Sequence, residues 1–386
     1  MVWLSLLSLL IWLLLIAAWG QFWRSNQRLP EASSSLDEWP DVCAIVPARN
    51  EADVLPQSLK SLLTQDYPGK FTVILVDDQS DDGTGAVAQR VAVELGQESA
   101  LQVMTTSPLP LGWAGKLWAM NQGVAALGQQ RDSPYILFTD ADICHHPSNV
   151  RSLVAKAEQE QRDLVSLMVL LRCDSAWEKL LIPAFVFFFQ KLYPFPWVNN
   201  PNRKMAAAAG GCILLRSQAL KKAGGLVTIK DALIDDCSLA AAVKSSGPSG
   251  NIWLGLTTST VSLRPYTSLD SIWTMVARTA FTQLNYSPLL LIGSIVGMSL
   301  VYLAPPLSLL YGCIAGVQSI AIVGGVTWLL MAIAYWPTIR LYRLSPLWTF
   351  ALPLIAVFYN LMTLDSARRH WQGKGGAWKG RVYPAR

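Results

Sequence analysis

Tyr135-Ile136-Leu137-Phe138-Thr139-Asp140-Ala141-Asp142 passes from an apolar run straight to a pair of carboxylates. The apolar half has the length of a short buried strand. In extended backbone, residues i and i+2 face the same side. Asp140 and Asp142 therefore project together, and two such charges repel unless a cation lies between them. Hard divalent ions such as Mg²⁺ or Mn²⁺ prefer oxygen ligands of this kind and bridge to phosphate oxygens. The plainer alternative is a capped turn. His145 and His146 follow closely and read as loop or helix-start residues rather than metal ligands.

Outward from this stretch, further apolar runs occur at 42–46, 71–76, 101–104 and 164–171. Helical patterns at 52–64, 85–95, 116–127 and 147–159 separate several of them. Strand–helix–strand repetition predicts an α/β fold with a mostly parallel sheet and right-handed crossovers. Ligands in such sheets bind beyond the carboxyl ends of the strands. Polar clusters stand at those places. Pro47-Ala48-Arg49-Asn50-Glu51 follows the first run, and Asp77-Asp78-Gln79-Ser80-Asp81-Asp82-Gly83-Thr84 follows the second.

Several of these residues have two readings. Asp77 and Asp78 suit acceptors for a base or ribose, or the cap of the next helix, a role that Asp81, Asp82 and Thr84 fill better. Gly112-Trp113-Ala114-Gly115-Lys116 opens a helix and offers backbone N–H groups and a lysine to phosphate, without the spacing of a P-loop. Gly210-Gly211-Cys212 starts another strand, where adjacent glycines let a ligand approach or simply make a turn. Asp235 and Asp236 begin a helix before Cys237-Ser238-Leu239. They either complement its dipole or supply a general base.

Composition sets the context. The chain has 386 residues, 52% hydrophobic and 15% charged, with 16 Trp and a net charge of +5. Mean hydropathy is +0.32. So few charges exclude an ordinary soluble enzyme and a disordered chain. The basic residues are dispersed, which argues against nucleic-acid binding. Six scattered cysteines without a CxxC pair fit a reducing compartment and no zinc or disulfide framework.

Residues 2–23 are uncharged and long enough to span a bilayer. Arg24 and Arg28 follow, so the positive-inside rule puts the N-terminus outside and the next domain in the cytoplasm. No charge occurs between Arg278 and Arg340, room for two spans joined near Pro305-Pro306 or Gly312. Residues 344–364 are uncharged again, and Arg368, Arg369, Lys374, Lys379, Arg381 and Arg386 make a basic tail. A full third span would put that tail outside; a re-entrant segment keeps it inside, the reading preferred here. Residues 180–189 are too short to span and form either an interfacial helix or a core helix. The expected organisation is an anchor at 1–23, a cytoplasmic domain at 41–266, a membrane region of two or three segments at 287–364 and the tail at 365–386.

Taken in order, P-A-R-N-E, V-D-D-Q-S-D-D-G-T, G-K-x-x-A-x-N-x-G from Gly115 to Gly123, T-D-A-D, G-G-C and D-D-x-x-L from Asp235 to Leu239 resemble the family 2 glycosyltransferases over about residues 42–250. Within that family the membrane layout, the segment 172–202 and Val276-Ala277-Arg278-Thr279-Ala280-Phe281 are similar to the hopanoid-biosynthesis-associated type. The resemblance implies a GT-A fold and an inverting hexosyltransferase in a bacterial inner membrane, with its catalytic domain cytoplasmic. The donor would be a nucleotide diphosphate sugar, UDP-linked, and the acceptor a lipid, with polyprenyl phosphate or a ceramide-like lipid as the alternative. An inactive nucleotide-binding scaffold is the non-enzyme alternative.

By matching motif, Pro47, Asn50, Glu51, Asp77 and Asp78 would hold the nucleotide, and Lys116 would approach nucleotide or phosphate. Asp140 and Asp142 would bind Mg²⁺ or Mn²⁺ and the diphosphate. Gly211 and Cys212 would line the donor or acceptor pocket, and Asp236 would be the base. Two departures stand out. Asp235 replaces the family's Glu, and Met275-Val276-Ala277-Arg278-Thr279 lacks the Gln and Trp of Q-x-x-R-W. The second counts against a processive synthase and leaves Arg278 as a phosphate contact.

Overall fold

The computed structural model describes residues 1–30, 36–130, 133–247, 251–374, 377–378 and 381–382. Lys379 and Arg386 of the basic tail lie outside the described residues. The sheet strands are β1 (Val42–Ala48), β2 (Phe71–Asp77), β3 (Leu101–Thr105), β4 (Tyr135–Thr139), β5 (Ile143–Cys144), β6 (Leu164–Leu170), β7 (Cys212–Arg216) and β8 (Ile252–Ser262). They form one sheet in the order β3-β2-β1-β4-β7-β6-β8-β5. The pairs β1–β2, β1–β4, β2–β3 and β6–β8 are parallel. Strand β7 runs antiparallel between β4 and β6. Strand β8 was not isolated among the apolar runs, because its Gly255 and its Thr-Thr-Ser-Thr stretch break the pattern.

The domain's helices are α2 (Leu55–Leu63), α3 (Thr84–Leu95), α4 (Gly115–Gln130), α5 (Asn149–Gln159), α6 (Ala176–Leu192), α7 (Phe195–Val198), α8 (Ser217–Lys222), α9 (Asp235–Ser245) and α10 (Leu269–Ala277). A further helix, α1 (Val2–Ala18), precedes the domain. The period-two alternation of β1 sorts the core into two layers. Val42, Ala44, Val46 and Ala48 pack with the leucines of α2 and with α3 and α5. Cys43 and Ile45 face the opposite layer, with α4, α6 and α9. The GT-A-like α/β architecture expected of the motifs is therefore present.

Helix α6 settles the two readings left open for residues 180–189. Its start is fixed by a capping box: Ser175 Oγ accepts from Glu178 N at 3.1 Å, and Glu178 Oε2 accepts from Ser175 N at 2.8 Å. Leu181, Ile182, Ala184, Val186 and Phe187 are buried. The Phe187 ring meets Phe22 and Tyr335. It is a core helix that joins the α/β domain to the apolar helices.

Those helices are α11 (Pro288–Met298), α12 (Ala304–Ile314), α13 (Gln318–Leu341) and α14 (Leu352–Trp371). By length and composition three segments suffice to cross a membrane: Pro288–Ile314, Gln318–Leu341 and Pro346–Trp371. Helix α1 is shorter than the uncharged run that contains it, 17 residues, or about 25 Å at 1.5 Å per residue. Of the two places expected for the joint, near Pro305-Pro306 or Gly312, the structure turns close to the second. A π-helical stretch, Ser299–Leu303, carries the chain through, and the prolines sit in the first turn of α12, where missing N–H donors cost little. The reversal comes after Ile314, at Gly316 with φ +70°.

Candidate active site

The clusters that follow β1 and β4 meet in one cleft. A cavity of about 490 Å³ is lined by Pro47 near the end of β1, Glu51 after it, Lys116 on α4, Asp140 and Asp142 after β4, Asp235 on α9, and Arg264, Tyr266 and Arg278. This is the carboxyl edge of the parallel strands, where α/β sheets bind ligands.

Each carboxylate of the Asp140–Asp142 pair carries its own cation. Lys116 Nζ lies 2.8 Å from Asp140 Oδ1 and 3.2 Å from Asp235 Oδ2. Arg264 Nε donates to Asp142 Oδ2 at 2.8 Å, and its Nη2 reaches both oxygens of Glu51 at 2.7 and 2.8 Å. Burial disfavours both cations, but the acids outweigh it and hold Lys116 and Arg264 protonated. Burial pushes Asp140's carboxyl up; Lys116 offsets part of this and Asp142 adds to it. Arg264 was not singled out from sequence. The rule that polar residues follow strand ends, applied to β8, points straight at it.

Asp236 sits at the first turn of α9, beside Asp235. Its Oδ2 accepts from Gly210 N at 2.9 Å and its Oδ1 from Cys237 N at 2.7 Å. Burial first, and then the Asp235 charge, raise its carboxyl to about 6, against the opposing pull of Lys116. A β-carbon on Gly210 would lie 3.2 Å from Lys116 Nζ and 3.4 Å from Asp236 Oδ2, so the loop passes closest at a glycine. Lys244 holds that loop by donating to the carbonyls of Val198, Asn200 and Met205.

The remaining residues form a flank. Asp78 is fully buried, and its Oδ1 accepts from Thr106 Oγ1 at 2.9 Å. The Arg49 guanidinium donates to the Asp78 carbonyl. Asp77 Oδ1 accepts from Ser80 N at 2.9 Å, which makes a turn of the loop after β2. Asn50 Oδ1 accepts from Asp81 N at 3.1 Å. Asp77, Asp78 and Asn50 thus shape the β1 and β2 loops beside the cleft rather than line its main volume.

Cys212 stands apart from the cleft, a correction to the expected pocket lining. Its thiol is buried on the α2–α5 side of the sheet and accepts from Asn149 Nδ2 at 3.7 Å. Cys212 is the first residue of β7 and points into the core, while Gly210, in the turn before the strand, stays at the rim beside Lys116 and Asp236. Gly211 contributes its carbonyl to Thr139 Oγ1 at 2.9 Å. His145 is likewise structural: buried between Thr139 and Asn149, it is pushed down to about 4 by desolvation and stays neutral.

Asp140 and Asp142 fit a divalent cation in donor type, both being hard oxygen ligands on one cavity wall. No set of three His, Cys, Asp or Glu side chains that could hold a metal occurs among the described residues. A cation here would take its remaining ligands from phosphate oxygens or water.

The glycosyl transferase family 2 model matches residues 43–224, the stretch that supplies Pro47, Glu51, Lys116, Asp140 and Asp142 of the cleft but not α9, Arg264, Tyr266 or Arg278. Just under half of the chain thus resembles the family 2 glycosyl transferases. The "Probable glycosyltransferase YdaM" of Bacillus subtilis (strain 168) is 25% identical over 250 residues, 62% of this chain and 56% of that protein. An undecaprenyl-phosphate 4-deoxy-4-formamido-L-arabinose transferase of Pseudomonas savastanoi pv. phaseolicola is 28% identical over 140 residues, 36% of this chain and 38% of that protein. The chain therefore spans about half or less of the length of these curated relatives. The mannosyltransferase PcManGT from Pyrobaculum calidifontis, solved with GDP-Man and Mn²⁺, superposes with a TM-score of 0.52 at 17% identity. That match covers 95% of this chain and 98% of the other, and it shows that the two share a fold.

Proposed function

We propose that this chain is a membrane-bound inverting glycosyltransferase, moving a hexosyl unit from a UDP-linked sugar to a lipid acceptor. The observation that carries this reading is the joining of Glu51, Lys116, Asp140, Asp142, Asp235 and Arg278 in one cleft at the strand ends. The cleft is rich in paired charges, as a nucleoside diphosphate requires. Pro47, Asn50, Glu51, Asp77 and Asp78 would form the nucleotide side. Lys116 and Arg278 would face phosphate oxygens.

In the proposed reaction the acceptor oxygen attacks the anomeric carbon as the bond to the diphosphate oxygen breaks. The Asp236 carboxylate takes the acceptor proton, and the nucleoside diphosphate leaves. With a carboxyl near 6, Asp236 is ionised at neutral pH yet basic enough to accept that proton. Asp140 and Asp142 would hold a divalent cation, Mg²⁺ or Mn²⁺, whose charge offsets that of the departing diphosphate. The domain would face the cytoplasm at a bacterial inner membrane.

A hopanoid or related lipid is the acceptor we favour, from the resemblance of the whole layout. The curated relative named for undecaprenyl phosphate supports polyprenyl phosphate as the second reading. Purified chain in Mn²⁺ buffer, offered UDP-sugars with a hopanoid alcohol or a polyprenyl phosphate, decides between them by mass spectrometry of the lipid product. Transfer to neither, with any donor, would refute the reading.

A further inference from the structure

A second cavity, of about 500 Å³, lies between α1, α6, α11 and α14, with Val276 and Ala280 also in its lining. Its size and its apolar walls with few polar groups are those of a ligand pocket. Lys191, in the last turn of α6, reaches into it.

The course of that lysine is unusual. Its carbonyl accepts from Trp19 Nε1 at 2.8 Å, just past the end of α1. Its amine donates to the Tyr302 hydroxyl at 2.9 Å. Tyr302 in turn packs edge-on against Trp12, about two turns back along α1. The side chain thus runs inward along the apolar helices, whereas lysines near membrane helix ends ordinarily turn outward to water. Its other neighbours are Met298 Sδ at 3.7 Å and the ring faces of Phe188 and Tyr302. Among the described residues no carboxylate pairs with it. The carboxyl end of α6 favours a cation nearby but does not explain the inward course. An ammonium set among apolar helices without a counter-ion is costly and marks a functional position.

We propose that this cavity binds one anionic phospholipid from the bilayer. Its phosphate sits on Lys191 Nζ and an acyl chain lies along Gly293 and Gly297 of α11. Segment 269–280 separates the two cavities. Ser271, Thr274 and Arg278 line the cleft, and Val276 and Ala280 line the lipid cavity. A bound lipid therefore braces one wall of the donor cleft.

The test uses full-length chain in nanodiscs of phosphatidylcholine with phosphatidylglycerol, followed by native mass spectrometry of retained lipid. Wild type and Lys191→Arg should each keep one phosphatidylglycerol. Lys191→Gln should keep at least tenfold less, with an unchanged thermal midpoint. Gly297→Leu should lose it too. A β-carbon added there meets nothing within 4 Å, so the longer side chain starts in open space at the cavity wall. Since that variant leaves the lysine in place, the proposal stays refutable even if Lys191→Gln fails to fold. Equal retention by Lys191→Gln and wild type would overturn it, as would equal retention of phosphatidylcholine. Displacement of phosphatidylglycerol by an equimolar polyprenyl phosphate would also overturn it, by making the cavity an acceptor site. None of these readouts depends on sugar transfer.

Discussion

Asp236 holds its carboxylate between the Gly210 and Cys237 N–H groups, and this residue bears the sharpest prediction. Asp236→Asn should lower transfer by about 10²- to 10⁴-fold, the usual worth of a general base, while UDP binding measured by calorimetry persists. Equal loss of both would make Asp236 structural. The base must be ionised to work, so kcat/KM should fall about tenfold per pH unit below 6. Arg264 gives a stability test. Arg264→Met strands two buried acids, Glu51 and Asp142, and should cost about 2 kcal/mol in denaturant unfolding. Adding Glu51→Gln to that variant should recover part of the loss, because one stranded charge is then gone. The acids of this site were legible from sequence because they follow apolar runs directly. Arg264 is not, since the strand it follows, β8, is broken by Gly255 and a Thr-Thr-Ser-Thr stretch and does not read as an apolar run.

The strands read as apolar runs and the helices between them rest on local patterns, and the structure agrees with them closely. The paired helices α12 and α13 depend on a contact no local pattern encodes. A β-carbon on Gly324 would lie 2.5 Å from Leu309 N and 2.7 Å from Pro305 O. Gly324→Ala should therefore destabilise the chain by about 1–3 kcal/mol through overpacking, read as a lower thermal midpoint in detergent. Gly325→Ala, whose β-carbon makes only ordinary contact at 3.6 Å, is the control and should shift it little. That the chain reverses just past Gly312 and not at Pro305-Pro306, the other place expected, has a related cause. Proline was read as a breaker, but packing against neighbouring helices tolerates it in a first turn.

Across the whole molecule, the path of the last apolar segment decides where the tail lies. Before it, the Thr338 hydroxyl meets the Ser25 hydroxyl at 3.4 Å, just after α1. At its end, Asp365 accepts from Trp273 Nε1 of α10 at 2.8 Å, and Ser366 Oγ accepts from Phe281 N at 3.0 Å. Both flanks rest against the side that carries the α/β domain. A C-terminal reporter should accordingly read on the same side as a reporter inserted in that domain; opposite readings would mean that the segment crosses. Charge counting alone left this open, because it weighs residues near a span and not the contacts of its ends.

Residues 135–142 by themselves determined a strand followed by two carboxylates on one face, because a period of two and the chemistry of adjacent acids are local properties. The low charge fraction likewise marked apolar helices, since a bilayer-length uncharged run needs no partner to be recognised. Only the tertiary structure decided which cations answer those acids, that Cys212 turns into the core, and that Lys191 points inward. Those outcomes depend on the sheet order that sets β7 between β4 and β6, and on helices brought together from distant parts of the chain. Their contacts are fixed by packing in three dimensions, which one-dimensional spacing does not carry.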